Sequence, residues 1–446
     1  MEQSDHLFRH EAGRMVAALT RVFGLHNLEL AEDVVQDAFC RALEVWKLRG
    51  IPENPSAWLM KSAKNRALDV LRRERTARTF APDLGRLLQT EWTMANAVAE
   101  IFDSTDIEDD QLRMMFSCCH ARLSETSQVM LVLQLIGGFG VREIAGAFVS
   151  SHSAVEKRLT RAKRTLAESE ALFNIADSAD FAARLPAVQR ALYLIFSEGY
   201  HGASAQAVVR ADLCHEAIRL TRLLAEHPLA ATPSTHALLA LMYLDGARLP
   251  ARLDPSGNLN TLFDQDRSCW DRAMIGQGRA WLERSATGSS LSRYHVEAAI
   301  ADVHAMAPRF DATDWNTIVS LYDTLMTVAP SPIVELNRAI AIAQLAGPQP
   351  GLEAINAIVE RDRLTEYPFY HAALGELELR RNNLDIAREH FQAAVALARN
   401  PIERRFYQSR LSACTRQRAT LPAQAKRAGI RAIRRPQRDY TGWAVD

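Results

Sequence analysis

GFGVREIAGAFVSSHSAVEKRLTRAKRTL, residues 138–166, divides into two helical stretches of unequal length joined by a short polar turn. Residues 141–148 have the composition of a short helix, with the small Ala145 at its centre. Val149, Ser150, Ser151 and His152 form the connection, and Ser153 is placed to cap a longer helix running from Ala154 to Leu166. On that helix Val155, Leu159, Ala162 and Leu166 recur at three- and four-residue spacing and make an inward stripe. Glu156, Lys157, Arg158, Arg161, Lys163 and Arg164 cover the remaining surface. A short helix packed on a longer basic one is a helix-turn-helix arrangement, and its second helix has the size and charge to enter a DNA major groove. Upstream, Ser127 to Ile136 reads as an apolar helix ended by Gly137 and Gly138.

A second basic unit lies nearer the N-terminus. Leu28 to Val45 has helical period, with Leu30, Val34, Val35, Phe39 and Leu43 as its apolar stripe. Glu32, Asp33, Gln36 and Asp37 fall mostly on the other side, where they could be a solvated surface or a docking face for a basic partner. A breaker-rich loop from Trp46 to Asn54 follows, and Ser56 is placed to cap the next helix. In that helix Leu59, Ala63, Ala67, Val70 and Leu71 can pack inward. Lys61, Lys64, Arg66, Arg72, Arg73, Arg75 and Arg78 project dense positive charge. Charge neutralises phosphates and an aromatic such as Trp46 can stack on an exposed base, so single-strand contact fits; a soluble basic helix with both tryptophans in the core fits as well.

The whole chain has 446 residues, 53 basic and 53 acidic, so DNA contact must come from local patches rather than a uniform basic coat. Six cysteines stand at 40, 118, 119, 214, 269 and 414 without a CxxC pair, as expected of small buried side chains in a reducing compartment. No metal site or cofactor is expected. The N-terminal MEQSDHLFRHEAGR is polar, and no apolar run approaches the roughly 20 residues that span a bilayer. No membrane association is expected, and the expected location is the cytoplasm. Residues 81–110 read as a linker that turns acidic at Asp103 to Asp110, and 111–170 as the second helical unit.

Residues 171–289 and 290–420 read as a long helical extension, followed by a basic tail at 421–446 whose end, 431–446, is expected to be disordered. Leu374, Gly375, Ala387, Phe391, Ala394 and Pro401 keep the spacing of a tetratricopeptide unit, with Asn382 and Asn383 at its turn. Pro332 to Val359 has a similar outline, disturbed by a loop at Gly347 to Gly351. Asp254, Asp264, Asp266 and Asp271 do not have calcium-loop spacing; they are expected in structural roles, Asp266 as a helix cap and the others chiefly in a buried Asp–Arg network. Tyr200 and His201 beside Gly199 lack a nucleophile or a metal set, so no enzyme activity and no catalytic residue is expected.

AEDVVQDAF (31–39) and NPSAWLMKSAKNRALDVLRRER (54–75) resemble the second region of extracytoplasmic-function sigma factors, and residues 138–166 resemble their fourth region. YLIFSEGYHGAS (193–204), DLCHEAIRLTRLL (212–224), DQDRSCWD (264–271) and SPIVELNRAIAIA (331–343) resemble the tetratricopeptide-like C-terminal extension of one subgroup. The resemblance implies an all-α fold: one sigma module over residues 1–80, a second over 111–170, then helical repeats. It implies that Glu32, Asp33, Gln36, Asp37 and Phe39 dock on the RNA polymerase core. The loop Trp46 to Asn54, with Lys47, would capture a flipped base of the melted −10 element, beside a helix carrying Lys64, Asn65, Arg66, Arg72 and Arg73. Ser153, Ala154, Lys157, Arg158 and Arg161 would read the −35 duplex. The turn at Phe148 to His152 lacks the family's usual glycine, so base preference does not transfer. The extension is expected to modulate activity, through contact within the chain or with a regulatory protein.

Overall fold

A computed structural model describes residues 2–73, 104–148, 150–168, 178–201, 209–288 and 290–420. The protein is all-α; among the described residues an isolated bridge between Leu253 and Leu259 is the sole β-type pairing. The chain forms two compact units, Met1–Phe196 with Arg219–Ala231, and Ser197–Ile218 with Thr232–Asp446. The first unit therefore continues past the boundary expected at 170.

The first unit opens with three helices, α1 (Glu2–Phe23), α2 (Leu28–Arg49) and α3 (Pro55–Arg73), which pack on one another. Ala31, Val34, Val35, Ala38 and Ala42 bury one side of α2. The small residues among them let neighbouring helices approach closely. Next come α4 (Ser104–Cys118), α5 (Glu125–Leu131), α6 (Val141–Ala147) and α7 (His152–Ala167). Residues 104–110, read as linker, are the start of α4; residues 81–103 and the tail 421–446 lie outside the described residues. The apolar stretch expected as one helix is α5 followed by a π-helical turn, Val132–Ile136, and it begins at a cap on Ser124. That π turn meets α1 at Gly13, where a Cβ would stand 1.8 Å from the Ile136 carbonyl oxygen. Only glycine allows that approach.

The unit is completed by parts of α8 (Ser178–Tyr200) and α9 (Ala211–Glu226). Phe181 stacks on Phe116 of α4, ring centres 3.9 Å apart, and on His227 at 5.5 Å. Arg190 pairs with Glu125 at the start of α5, and Arg219 reaches the buried Gln111 at 3.4 Å. Parts of α8 and α9 are thus built into the unit that carries α6 and α7.

In the second unit α10 (Pro233–Gly246) is buried nearly all round and packs on α11 (Arg272–Ser285) and α12 (Arg293–Met306). Helices α13 (Trp315–Val328), α14 (Pro332–Ala346), α15 (Pro348–Asn356), α16 (Pro368–Arg380), α17 (Leu384–Leu397) and α18 (Pro401–Thr420) follow, each packed on the next. Between α16 and α17 Asn382 takes φ 67°, and Phe391 lies over Gly375 with Ala387 and Ala394 buried beside it. Of the stretch expected as a disturbing loop at 347–351, Gly347 is the non-helical cap and 348–351 are the start of α15. Pro348 sits in its first turn, where a missing N–H costs nothing, and Gly351 lies where a Cβ would meet Ala343 at 2.4 Å.

The acidic cluster has the structural roles expected, Asp266 as a cap among them, but it does not form a buried Asp–Arg network. Asp254 accepts from the Ser256 and Asn258 amides at 2.8 and 2.7 Å, Asp266 caps a 3-10 turn, and Asp271 caps α11. The buried arginines rest mainly on aromatic faces. Arg252 lies 4.3 Å from the Tyr200 ring centre, and Arg248 and Arg267 lie 5.3 and 5.0 Å from that of Trp270. Arg267 donates to the His304 and Ala307 carbonyls at 2.7 and 2.9 Å, while Asp245 stands 3.6 Å from Arg248. Carbonyls and π faces spread the cation's partners without burying several carboxylates.

Candidate nucleic-acid interface

Helix α7 has the two faces its spacing demands. Val155, Leu159, Ala162 and Leu166 are buried, while Ser153, Ala154, Lys157, Arg158 and Arg161 are exposed. The cap is Ser151, two residues before the one expected; its hydroxyl accepts from the Ala154 amide at 3.2 Å. Ser153 and Ala154 therefore stand in the first turn, where a recognition helix offers its end to base edges. Lys163 departs from the solvent face. It is half-buried, and its Nζ donates to both Glu32 carboxylate oxygens, at 2.7 and 2.8 Å.

The loop after α2 begins at Gly50, with φ 80° and its amide bonded to the Trp46 carbonyl at 2.9 Å. Asn54, not Ser56, caps α3, accepting from the Ala57 amide at 3.0 Å; Pro55 occupies the first helical position. Trp46 is 8% exposed and meets Trp58 edge-on, ring centres 5.6 Å apart. Buried against Trp58, the ring is not presented to stack on an exposed base as the sequence led one to expect. The apolar groups that reach solvent there are Leu48 and Ile51, 85% and 65% exposed, which sequence reasoning did not single out. Their signal was legible: two branched apolar side chains among Lys47, Arg49 and glycine. Lys47, Asn54, Lys61 and Asn65 are exposed and Lys64 half-buried. Arg66 Nε donates to Asp37 Oδ2 at 2.7 Å; Arg72 and Arg73 close α3, and their side chains lie outside the described residues.

On α2, Asp33, Gln36 and Asp37 are exposed, whereas Glu32 and Phe39 are half-buried. Burial holds the Glu32 carboxyl above the ordinary carboxylate range, against the opposing pull of Lys163. Glu32, Gln36 and Phe39 line an open cleft of about 510 Å³ whose opposite wall includes Gln134, Phe139 and Glu143.

Two family descriptions match the chain: "Sigma-70 region 2" over residues 7–77, and a family of unknown function (DUF6596) over residues 184–286. The helices that carry the acidic and basic faces are therefore a sigma-70 region 2, and the protein belongs to the sigma-70 family of transcription initiation factors. It is also 38% identical over 412 residues to an uncharacterised protein of Rhizobium meliloti (strain 1021), across 92% of this chain and 96% of that relative. Both belong to one family that shares nearly this full length. No solved structure matches the chain.

Proposed function

We propose that this protein is an extracytoplasmic-function-type sigma factor that works in the cytoplasm. It docks on the RNA polymerase core through Glu32, Asp33, Gln36, Asp37 and Phe39 of α2. It holds the melted −10 element through Lys47, Asn54, Lys64, Asn65, Arg66, Arg72 and Arg73, with Leu48 and Ile51 offering apolar edges to splayed bases. Helix α7 reads the −35 duplex through Ser153, Ala154, Lys157, Arg158 and Arg161, as the second helix of a helix-turn-helix. The reaction chemistry belongs to the polymerase, and the protein itself is not an enzyme.

One observation carries this reading: α7 exposes a basic face over more than two turns, while its opposite face is fully buried. A helix so divided presents charge to phosphates and side chains to base edges without disturbing its own core. The region 2 match supplies the second half of a promoter reader.

The helical extension, with its tetratricopeptide-like pair α16 and α17, modulates activity. Supporting this, α8 and α9 pack on α4 and α5 in the same unit as the helix-turn-helix.

The test is reconstituted transcription with full-length protein and RNA polymerase core on genomic fragments, mapping transcript starts. Discrete starts sharing two upstream elements establish the assignment. Specific DNA binding without polymerase, and no initiation, would replace it with a free-standing regulator.

A further inference from the structure

Charge is unevenly placed along the chain. From Arg404 to Arg438 there are eleven basic residues and no acidic one, so the rest of the chain carries an acidic excess of eleven. The basic stretch begins in α18, the last helix of the second unit. In a protein of zero formal net charge, so long a run of one sign marks a segment that meets a partner of the other sign.

Helix α18 sorts its residues by side. Glu403, Tyr407 and Cys414 are buried, and Arg410 turns inward to pair with Glu376 of α16. Arg404, Arg405, Gln408, Ser412 and Arg416 are exposed. At about 3.6 residues per turn these five fall on one side of the helix, and that side carries no carboxylate of its own. The chain then continues with Lys426, Arg427, Arg431, Arg434, Arg435 and Arg438.

The chemistry of this face selects its partner. Among the described residues of α18 no large apolar side chain is exposed. The helix therefore lacks the apolar side that enters a lipid surface, and it offers no exposed aromatic for unpaired bases to stack on. What remains is recognition of closely spaced phosphates. Duplex DNA presents one charge per about 1.7 Å of axis, and guanidinium forks pair with phosphate oxygens.

We propose that the exposed face of α18 and the basic stretch after it form a third DNA contact, which grips duplex by its phosphates without reading sequence. The choice of DNA over another polyanion rests on the promoter-reading assignment. The contact adds affinity to any duplex and leaves the choice of promoter to α3 and α7. It also steepens the salt dependence of binding, because each neutralised phosphate releases counterions.

The experiment titrates full-length protein onto a fluorescent mixed-sequence duplex, without polymerase, at a series of salt concentrations. Wild type is compared with Arg404→Gln plus Arg405→Gln and, separately, with Arg431→Gln, Arg434→Gln, Arg435→Gln and Arg438→Gln together. Glutamine is a good helix former, so the exchange removes charge and little else. At about 0.9 per phosphate contact, the log–log salt slope should fall by about 1.8 in the first variant and about 3.6 in the second. An unchanged slope in either variant overturns the proposal. So does binding of single-stranded RNA of equal length at least about tenfold more tightly than the duplex, which would make RNA the partner. Mapping transcript starts with RNA polymerase core separates this contact from promoter reading: both variants should keep the wild-type start sites and initiate less as salt is raised. Lowered slopes together with no initiation by wild type would support the DNA contact and overturn the promoter-reading assignment instead.

Discussion

Arg66 Nε donates to Asp37 Oδ2 at 2.7 Å and ties the middle of α3 to the middle of α2. One partner belongs to the face assigned to DNA, the other to the face assigned to polymerase. Both remain partly exposed, so the pair contributes at most about 1 kcal/mol to stability. Asp37→Asn should leave the melting temperature within about 2 °C while weakening binding to the polymerase core. Arg66→Ala should lower initiation at a fixed promoter with core binding retained. Equal loss of both activities in both variants would show that the two faces are not separate.

Arg158→Ala combined with Arg161→Ala removes two exposed cations from α7. The doubly substituted holoenzyme should lose −35-dependent transcription, and its log–log salt slope for promoter binding should fall by about two. Core binding measured alone should be unchanged. A loss of core binding of the same size would remove α7 from the DNA-reading role.

Burial pushes the Cys119 thiol up to about 12 and raises those of Cys118 and Cys214. Cys40 and Cys269 are exposed. A maleimide at neutral pH should therefore label Cys40 and Cys269 in the folded protein and spare 118, 119 and 214. Peptide mapping after a short exposure checks this, and early labelling at 118 or 119 would contradict the packing around α4.

Trp270 lies beneath the guanidinium groups of both Arg248 and Arg267. Trp270→Ala should cost about 3–5 kcal/mol, because it opens a cavity and leaves buried cations without that face. Denaturant melts of the full chain, resolved for its second unit, provide the measurement.

His295 Nδ1 accepts from the Ser292 amide at 3.1 Å, and Nε2 meets the Ser285 carbonyl at 3.2 Å. Burial lowers its pKa below the ordinary 6.5. Burial, followed by His371, lowers that of His390. The unfolded chain therefore binds more protons than the folded one as pH falls through 6.5, and stability is lost in that direction. The melting temperature of the second unit should drop between pH 7.5 and 5.5, and His295→Gln, which keeps a neutral acceptor, should shrink the drop. An unchanged drop would assign it to other groups.

Local spacing made most of the fold legible. Three- and four-residue periodicity located α2, α3 and α7 and assigned the buried sides of α3 and α7; on α2 the inward side is turned toward Ala31, Ala38 and Ala42, leaving Leu43, expected in the stripe, 58% exposed, because small side chains take the close helix contacts. The spacing of Gly375, Ala387 and Phe391 likewise located the α16–α17 pair, since a small residue must sit wherever a large ring crosses. Caps were legible only to within two residues: Ser151 and Asn54 serve where Ser153 and Ser56 were equally suited by type.

By itself the sequence determined an all-α chain, a basic exposed face on α7 and a region 2 whose acidic and basic helices follow in order. Tertiary structure decided the rest. It turned Trp46 inward against Trp58 and left Leu48 and Ile51 at the surface, and it folded 348–351 into the first turn of a helix, with Gly351 lying against Ala343. It also joined Lys163 to Glu32, 131 residues apart in the chain. Periodicity reports which side of a helix is apolar. It carries no record of which distant charge will meet a given lysine, since that is settled only when the packed helices bring the two groups within 3 Å.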